Sequence, residues 1–497
     1  MTATESTAAE KPGPPVLLTG YPPGPLDEAV EPDGRVRPGY SDIVSALDSV
    51  GIEGLRAATG HLDRIRVEEG ISFIADIDGD LVEQPFPLDP IPRVLSAADW
   101  AGIRAGLTQR TRALNAFLAD VYGSDDLSKA QIVRDAIVPE SVIRNCPGYL
   151  PGAADFSPGD RPRATILGFD LLNAPSGRWV VLEDNLRVPS GLGYAVSNRR
   201  TAASALPMLH PWPDLLSPES VGSDLLSALQ QAAPVGCPRT TPSVAVLSDG
   251  PENSAWYEHQ LLATAMGVPV VTPTDLSGDQ TGVFARVDGR LTPIDVLYRR
   301  LGDDEIIAGP AVSEEANALL RAASRAGAVS LVNTPGNGVA DDKAVYAFVH
   351  TMIHYYLGEE PLIGDVGTWV LADPNQYEGV RDRLRELVVK PVDGSGGAGV
   401  MIGPDISEQE FEVMQAEVQA HPELFIAQEV IRFSSHPTLT ANGLEPRHVD
   451  LRVFALAGLD GSVTVPDVAL SRVAMAADGL LVNSSRGGGS KDTWLRG

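Results

Sequence analysis

Residues 164–187, "ATILGFDLLNAPSGRWVVLEDNLR", read as two strands around the turn "APSG". If the chain turns at Ser176-Gly177, Asp170 stands directly opposite Glu183, and cross-strand partners share a face. Alternate side chains of a strand also share a face, so Asn185 and Arg187 extend the row begun by Glu183. Two facing acids repel unless a cation lies between them. The hairpin therefore asks for a partner, and the segment holds no glycine-rich phosphate loop. The best candidate for one comes some two hundred positions later, in "VVKPVDGSGGAGVMI" at 388–402. Any fold of this chain has to bring these distant pieces together.

"GSGGAG" at 394–399 matches G-x-G-x-x-G, but "VMI" follows it where a dinucleotide-binding domain would open a helix. No Lys-Ser or Lys-Thr follows the glycines, so it is not a Walker loop either. A glycine-rich turn between antiparallel strands can instead fold over phosphates, because bare backbone N–H groups reach the oxygens without a Cβ in the way. Lys390, on the strand entering the turn, adds a suitable charge. The bland alternative is a flexible Gly/Ser hairpin.

The chain of 497 residues is 43% hydrophobic, enough for a sizeable core in two to four units of ordinary domain size. Its net charge is −28, from 66 acids against 38 bases, which disfavours non-specific nucleic acid or anionic membrane as a partner. Two cysteines, Cys146 and Cys237, support no disulfide framework and suit a reducing cytoplasm. No apolar run approaches the roughly 18 residues of a membrane span. Residues 1–15 read as a disordered tail without signal-peptide character.

Residues 16–163 read as a helical N-terminal lobe. Trp100, Ile103, Leu107, Leu114, Phe117, Leu118 and Val121 follow helical spacing between a Ser96 cap and a Gly123 stop. The hairpin segment spans 164–214. Residues 215–335 read as a compact α/β unit: a strand near 243, a helix 252–266 ended by Gly267, a hairpin through Asp288-Gly289, a helix 313–327 and a strand 329–333. Residues 336–497 supply a helix starting at Asp341 or Asp342, the glycine loop, a helix 407–422, and strands 424–431, 447–458 and 469–477.

These pieces resemble the ATP-grasp superfamily, whose members grip ATP between two α+β lobes. "DDKAVYAF" suggests Lys343 as a first phosphate-binding lysine and "VVKPVDGSGGAG" suggests Lys390 as a second, with loop residues Gly394, Ser395, Gly396, Gly397 and Gly399. "IAQEVI" resembles the hinge, with Gln428 and Glu429 near adenine and ribose. "PRHVDLRVFAL" resembles the polar strand carrying His448, Asp450 and Arg452. "LSRVA" offers Arg472 as a γ-phosphate contact. Asp170 with "LEDNLR" matches the acid and Glu-x-Asn-x-Arg, implying Asp170, Glu183 and Asn185 as metal ligands and Arg187 as a catalytic cation.

The order departs from the usual one, since the metal segment comes first. A circularly permuted ATP-grasp family related to glutathionylspermidine synthetase-like ligases has this layout. "DPIPRVLSAADW", "NTPGNGVADDKAV" and "NSSRGGGSKDTW" resemble it, over residues 85–497. The resemblance implies an α+β and α/β chain with an ATP-grasp fold in permuted order, a pre-ATP-grasp α/β domain at 215–335, and ATP and Mg²⁺ as cofactors. It implies a cytoplasmic carboxylate–amine ligase working through an acylphosphate, with a small-molecule or peptide carboxylate and an amine acceptor as partners. A homo-oligomer is compatible with it. The rival functions are an ATP binder without turnover and a small-molecule kinase. Arg299 or Arg300 could grip a substrate carboxylate or pair with Asp303 or Asp304. The terminal "SSRGGGSKDTW", with Arg486 and Lys491, could close over the acceptor or be a mobile tail.

Overall fold

The computed structural model describes residues 15–77, 80–156, 161–210, 212–308, 313–392, 399–474 and 488–497. Residues 1–14, loop residues Gly394, Ser395, Gly396 and Gly397, and Arg486 lie outside them. Of the glycine loop, only Gly399 is described.

One sheet organises the molecule. Among the described residues it has nine strands, of which seven form one continuous path: in chain order β1 (Leu88–Leu95), β2 (Ile166–Asn173), β3 (Trp179–Asn185), β4 (Gly364–Asp365), β9 (Gly443–Ala457), β10 (Ala469–Val473) and β11 (Gly489–Leu495). The short strands Ser435–Thr440 and Val463–Thr464 pair with β9 off that path. Between β4 and β9 in the chain lie the strands of a second sheet: β5 (Thr368–Val370), β6 (Leu387–Pro391), β7 (Met401–Ile402) and β8 (Phe425–Glu429). The large sheet runs β4–β3–β2–β9–β10–β11–β1, and the small antiparallel one β5–β8–β6–β7. The early hairpin β2–β3 therefore sits beside β9, a strand that follows it by nearly three hundred residues.

The hairpin has the register expected from its turn. Gly177 takes a left-handed φ of 73°, and its N–H donates to the Ala174 carbonyl. Asp170 pairs with Glu183 and Gly168 with Asn185, while a bulge falls between Asp170 and Leu171. Across the hairpin's other edge, Asp170 is the direct partner of Arg452.

Helix α1 (Ala97–Val121) covers one face of this sheet. The Ser96 hydroxyl accepts the Asp99 N–H at 3.1 Å and caps it. Its stripe from Trp100 to Val121 is buried against Leu167, Phe169 and Leu171 of β2 and Leu451, Val453 and Ala455 of β9. Burying such a side chain is worth about 1.5–3 kcal/mol. Because strand side chains alternate, fixing these odd-numbered residues against α1 forces Asp170, Asp450 and Arg452 to the opposite face. The helix thus decides where the polar row points.

The α/β unit holds a parallel four-stranded sheet of Val244–Leu247, Val270–Val271, Val296–Arg299 and Ser330–Val332. Its helix begins at Trp256 rather than at 252, because residues 250–255 turn first, with the Asn253 side chain accepting the Ala255 N–H. Gly267 ends it at a φ of 69°. Asp288 and Gly289 take the positive φ values of the expected hairpin turn.

Two further sequence expectations change. Asp342 caps a helix as expected, accepting Ala344 N–H at 2.7 Å, but that helix is short, Lys343–Tyr346. A second short helix and a wider turn continue it to Leu357. The C-terminal segment is no mobile tail over residues 489–495: these form β11, between β10 and β1. Lys491 is buried there in an ion pair with Asp89 at 2.5 Å, so it cannot reach an acceptor.

Candidate active site

The polar face of the large sheet and the inner face of the small one enclose a cavity of about 1070 Å³. Asp170, Glu183, Asn185 and Arg187 line it from the hairpin side. Lys343, Lys390, Gln428, Glu429, His448, Asp450, Arg452 and Arg472 line it from the last third of the chain. Every described residue that the resemblance assigns to the metal or the nucleotide, Gly399 excepted, thus borders one space.

Two charged rows cross the sheet. Glu183, Asp170 and Arg452 are successive cross-strand partners. Asp450 and Arg472 are partners in the next row. Arg452 grips Asp170 with two parallel bonds of 2.6 and 2.7 Å, the bidentate geometry a guanidinium favours. Arg472 bridges the rows, 3.0 Å from Asp170 and 2.9 Å from Asp450. Burial works to raise the Asp170 carboxyl, but Arg452 and Arg472 outweigh it and hold it well below the usual carboxylate range. Arg472, expected as a γ-phosphate contact, is thus already shared between two buried acids.

Glu183 is different. Its half-buried carboxylate makes no hydrogen bond or ion pair among the described residues, and burial, then Asp170, pushes its pKa up. The Asn185 amide nitrogen is likewise buried without a partner. An unpartnered carboxylate beside an ionised one, with an amide next to it, suits a hard divalent cation that takes oxygen ligands. The residues present fit Mg²⁺.

Opposite them, Lys390 Nζ donates to Gln428 Oε1 at 2.5 Å. Burial lowers its pKa to about 8, against the pull of Glu183. A phosphate held by Lys390 needs the protonated form. Nucleotide affinity is therefore expected to be flat below pH 7 and to fall about tenfold per pH unit above the pKa of about 8. Titration calorimetry from pH 6.5 to 9.5 checks this, and a Lys390→Met variant should bind weakly with no such slope.

At the other end, residues 146–148 and 336–343 pack backbone on backbone. A Cβ on Gly148 would lie 2.2 Å from the Gly338 carbonyl carbon, so only glycine permits this approach. The Arg187 side chain runs along that floor, exposed and without an ion pair among the described residues. Beside it lies an acid that the sequence marked only as a helix start. Asp341 accepts the backbone N–H groups of Leu186 and Arg187, borders the cavity, and is raised by burial to about 7. A single acid in "VADDKAV" carries no pattern that would single it out.

Arg299 and Arg300 do not reach the cavity. Arg299 is buried, 2.6 Å from Asp303 and bonded to the Leu301 carbonyl. Arg300 is buried against Glu258 and the Pro189 carbonyl, where it braces the loop that follows the Glu183–Asn185 row. Arg299 thus has the expected partner Asp303, but in the core and not in the surface ion pair expected, and neither arginine is placed to grip a substrate.

The family model described as circularly permuted ATP-grasp type 2 matches residues 92–474. The chain belongs to this family. The permuted ATP-grasp chain is 47% identical over 486 residues to "Putative glutamate--cysteine ligase 2-3" of Frankia alni, a match covering 97% of this chain and 55% of that protein. It spans a similar share, 55%, of a second Frankia relative of like name, at 45% identity. The chain thus spans about half the length of these relatives. By contrast, it covers 98% of an uncharacterized Synechocystis protein, at 39% identity over 483 residues and 96% of this chain. Among solved structures, a glutathione synthetase-like effector of Globodera pallida in its apo form is similar in fold, with a TM-score of 0.55 at 11% identity, over 89% of this chain and 96% of that one. No helix among the described residues is long and apolar enough to cross a membrane.

Proposed function

We propose that this chain is an ATP-dependent, ADP-forming carboxylate–amine ligase. One observation carries the reading: the row Glu183–Asp170–Arg452 faces Lys343 and Lys390 across a single cavity. That row offers oxygen ligands and cations where phosphoryl transfer needs both. Asp170, Glu183 and Asn185 would hold Mg²⁺, which neutralises phosphate charge when bound. Lys343 and Lys390 hold the phosphates, with Gln428, Glu429 and His448 around the rest of the nucleotide. Arg452 and Arg472 fix Asp170 in its ionised form.

A substrate carboxylate oxygen attacks the γ-phosphorus, the bond to the β-phosphate oxygen breaks, and ADP leaves. The acylphosphate carbonyl is then attacked by an amine nitrogen, the C–O bond to phosphate breaks, and an amide and phosphate remain. Arg187 stabilises the tetrahedral oxyanion. The proton lost by the amine needs an acceptor, and Asp341, half ionised near neutral pH, borders the same space. The names of the Frankia relatives make an amino-acid carboxylate and an amino-acid amine the first pair to try.

The test is ADP release by the full chain with Mg²⁺ and ATP, using glutamate with cysteine and with hydroxylamine as a surrogate amine. The expected result is ADP release that requires both acid and amine, with a hydroxamate formed in the second case. ADP release with a single phosphorylated product would make the protein a kinase. Nucleotide binding without turnover across a wider panel of acids and amines would leave a binder.

A further inference from the structure

Behind the metal row lies a second constellation that the mechanism does not use. Arg110, on α1, is completely buried. It grips Asp184 with two bonds of 2.6 Å, and its third arm reaches Asp365 at 2.6 Å. Asp184 sits between Glu183 and Asn185 and points to the opposite face of β3. Whatever fixes Asp184 therefore fixes the two residues that face the cavity. The guanidinium also lies over the Tyr346 ring at 5.3 Å. Tyr346 in turn donates to the Val181 carbonyl of β3 at 2.5 Å and accepts the Val366 N–H at 2.9 Å.

Asp365 ends β4, the edge strand of the large sheet, and β5 of the small sheet starts three residues later. This is a direct crossing from one half of the site to the other. The bonds continue across it. Thr368 Oγ1 donates to the Val366 carbonyl at 2.8 Å, Gln428 Nε2 donates to Thr368 Oγ1 at 2.9 Å, and Lys390 Nζ donates to Gln428 Oε1. A chain of short polar contacts thus runs from the metal strand, through Arg110 and residues 365–368, to the phosphate lysine. A cluster serving stability alone would need only the Arg110–carboxylate contacts. It would not need a hydroxyl at 368 that spends its one proton on the crossing and its lone pair on the partner of Lys390.

We propose that Arg110 and Thr368 are positioning residues that hold the two halves of the nucleotide site in register, so that metal and phosphates are bound together. The proposal rests on the ligase reading, since it needs Mg²⁺ at the 183–185 row and phosphate at Lys390. Arg110 sets the strand that carries the metal ligands. Thr368 orients Gln428, which holds Lys390 on the same crossing. Losing either uncouples the halves without removing a group that touches the nucleotide.

The test measures binding of a non-hydrolysable ATP analogue to the full chain, with and without Mg²⁺, for wild type, Arg110→Lys, Thr368→Val, Thr368→Ser and the double variant Arg110→Lys/Thr368→Val. Wild type should bind more tightly with Mg²⁺. In Arg110→Lys and Thr368→Val this enhancement should fall about 10-fold or more, the usual scale for groups that orient metal ligands. Metal-free affinity should change little in Arg110→Lys and fall in Thr368→Val, which loosens Gln428 and Lys390. Thr368→Ser keeps the hydroxyl and should behave as wild type. The double variant should be no worse than the poorer single one, because both break one chain. Retained enhancement in Thr368→Val, or a Thr368→Ser as impaired as Thr368→Val, overturns the proposal. Losses that add in the double variant overturn it too. If Arg110→Lys does not fold, the Thr368 pair decides alone. A wild type that binds no nucleotide overturns the ligase reading itself. A wild type with Mg²⁺-enhanced binding and unaffected variants overturns only the coupling.

Discussion

Replacing Glu183 by Gln is expected to lower turnover by about 10²–10³-fold while leaving the fold intact, or firmer than before. The activity loss follows from what Glu183 offers. Its carboxylate makes no ion pair among the described residues, whereas Asp170 is held by Arg452 and Arg472. A neutral amide keeps the shape but removes a charge that a divalent cation needs, and losses of this size are usual when one stabilising group is removed from a reacting centre. The stability argument has the opposite sign. Burial and Asp170 raise the folded-state pKa of Glu183, so the folded chain holds its proton more tightly than the unfolded chain does. Such a carboxyl destabilises the fold progressively as pH rises from its ordinary value through the raised one. At pH 7 without metal the Gln variant escapes that cost, and its melting temperature should equal or exceed that of wild type. Added Mg²⁺ should raise the melting temperature of wild type and not of the variant. Full activity in Glu183→Gln would sink the metal assignment.

What could be read from the sequence was whatever local geometry determines. The turn at Gly177 sets the hairpin register, so the Asp170–Glu183 pairing followed from counting residues. The α1 stripe followed from its period, and with it the burial of residues 100–121. Chain order pointed to permutation because the acidic row at 183–187 precedes the glycine loop that the resemblance pairs it with. What stayed hidden depends on neighbours far apart in the chain. Nothing local to "LSRVA" says that Arg472 is shared between Asp170 and Asp450, since those strands meet only in the folded sheet. Arg299 and Arg300 had two readings because a charge beside an acid looks alike on a surface and in a core. Asp341 lies in a quoted run whose resemblance pointed only to Lys343, Thr368 belongs to no motif, and only the fold gives them partners. The helix expected from 252 began late because a turn competes with its first four positions, a matter of local hydrogen bonding that spacing does not report.

Arg472 carries the largest expected effect on folding. An Arg472→Met variant keeps much of the side-chain volume but removes the one guanidinium that touches both Asp170 and Asp450. Asp170 would keep Arg452. Asp450, only 2% exposed, would lose its sole ion-pair partner among the described residues. Leaving a buried charge uncompensated costs about 3–5 kcal/mol, far above the cost of losing the same contact at a surface. Denaturant unfolding at pH 7 should show that loss, and turnover should vanish with it. The pH dependence separates this cause from simple misfit. Burial already raises the Asp450 pKa with Arg472 present, and without it the shift must grow. The variant can therefore shed its penalty by protonating Asp450. Wild type, whose Asp450 is raised less, gains less by that route, and its Asp170, held well below the usual carboxylate range, stays ionised throughout that window. The stability gap should narrow as pH falls from 7 to 5. Arg472→Met combined with Asp450→Asn should recover part of the loss at pH 7, because no buried charge is then left unpaired. A gap that stays constant with pH, unrelieved by the second substitution, would point to packing instead and would remove the charge-sharing role assigned to Arg472.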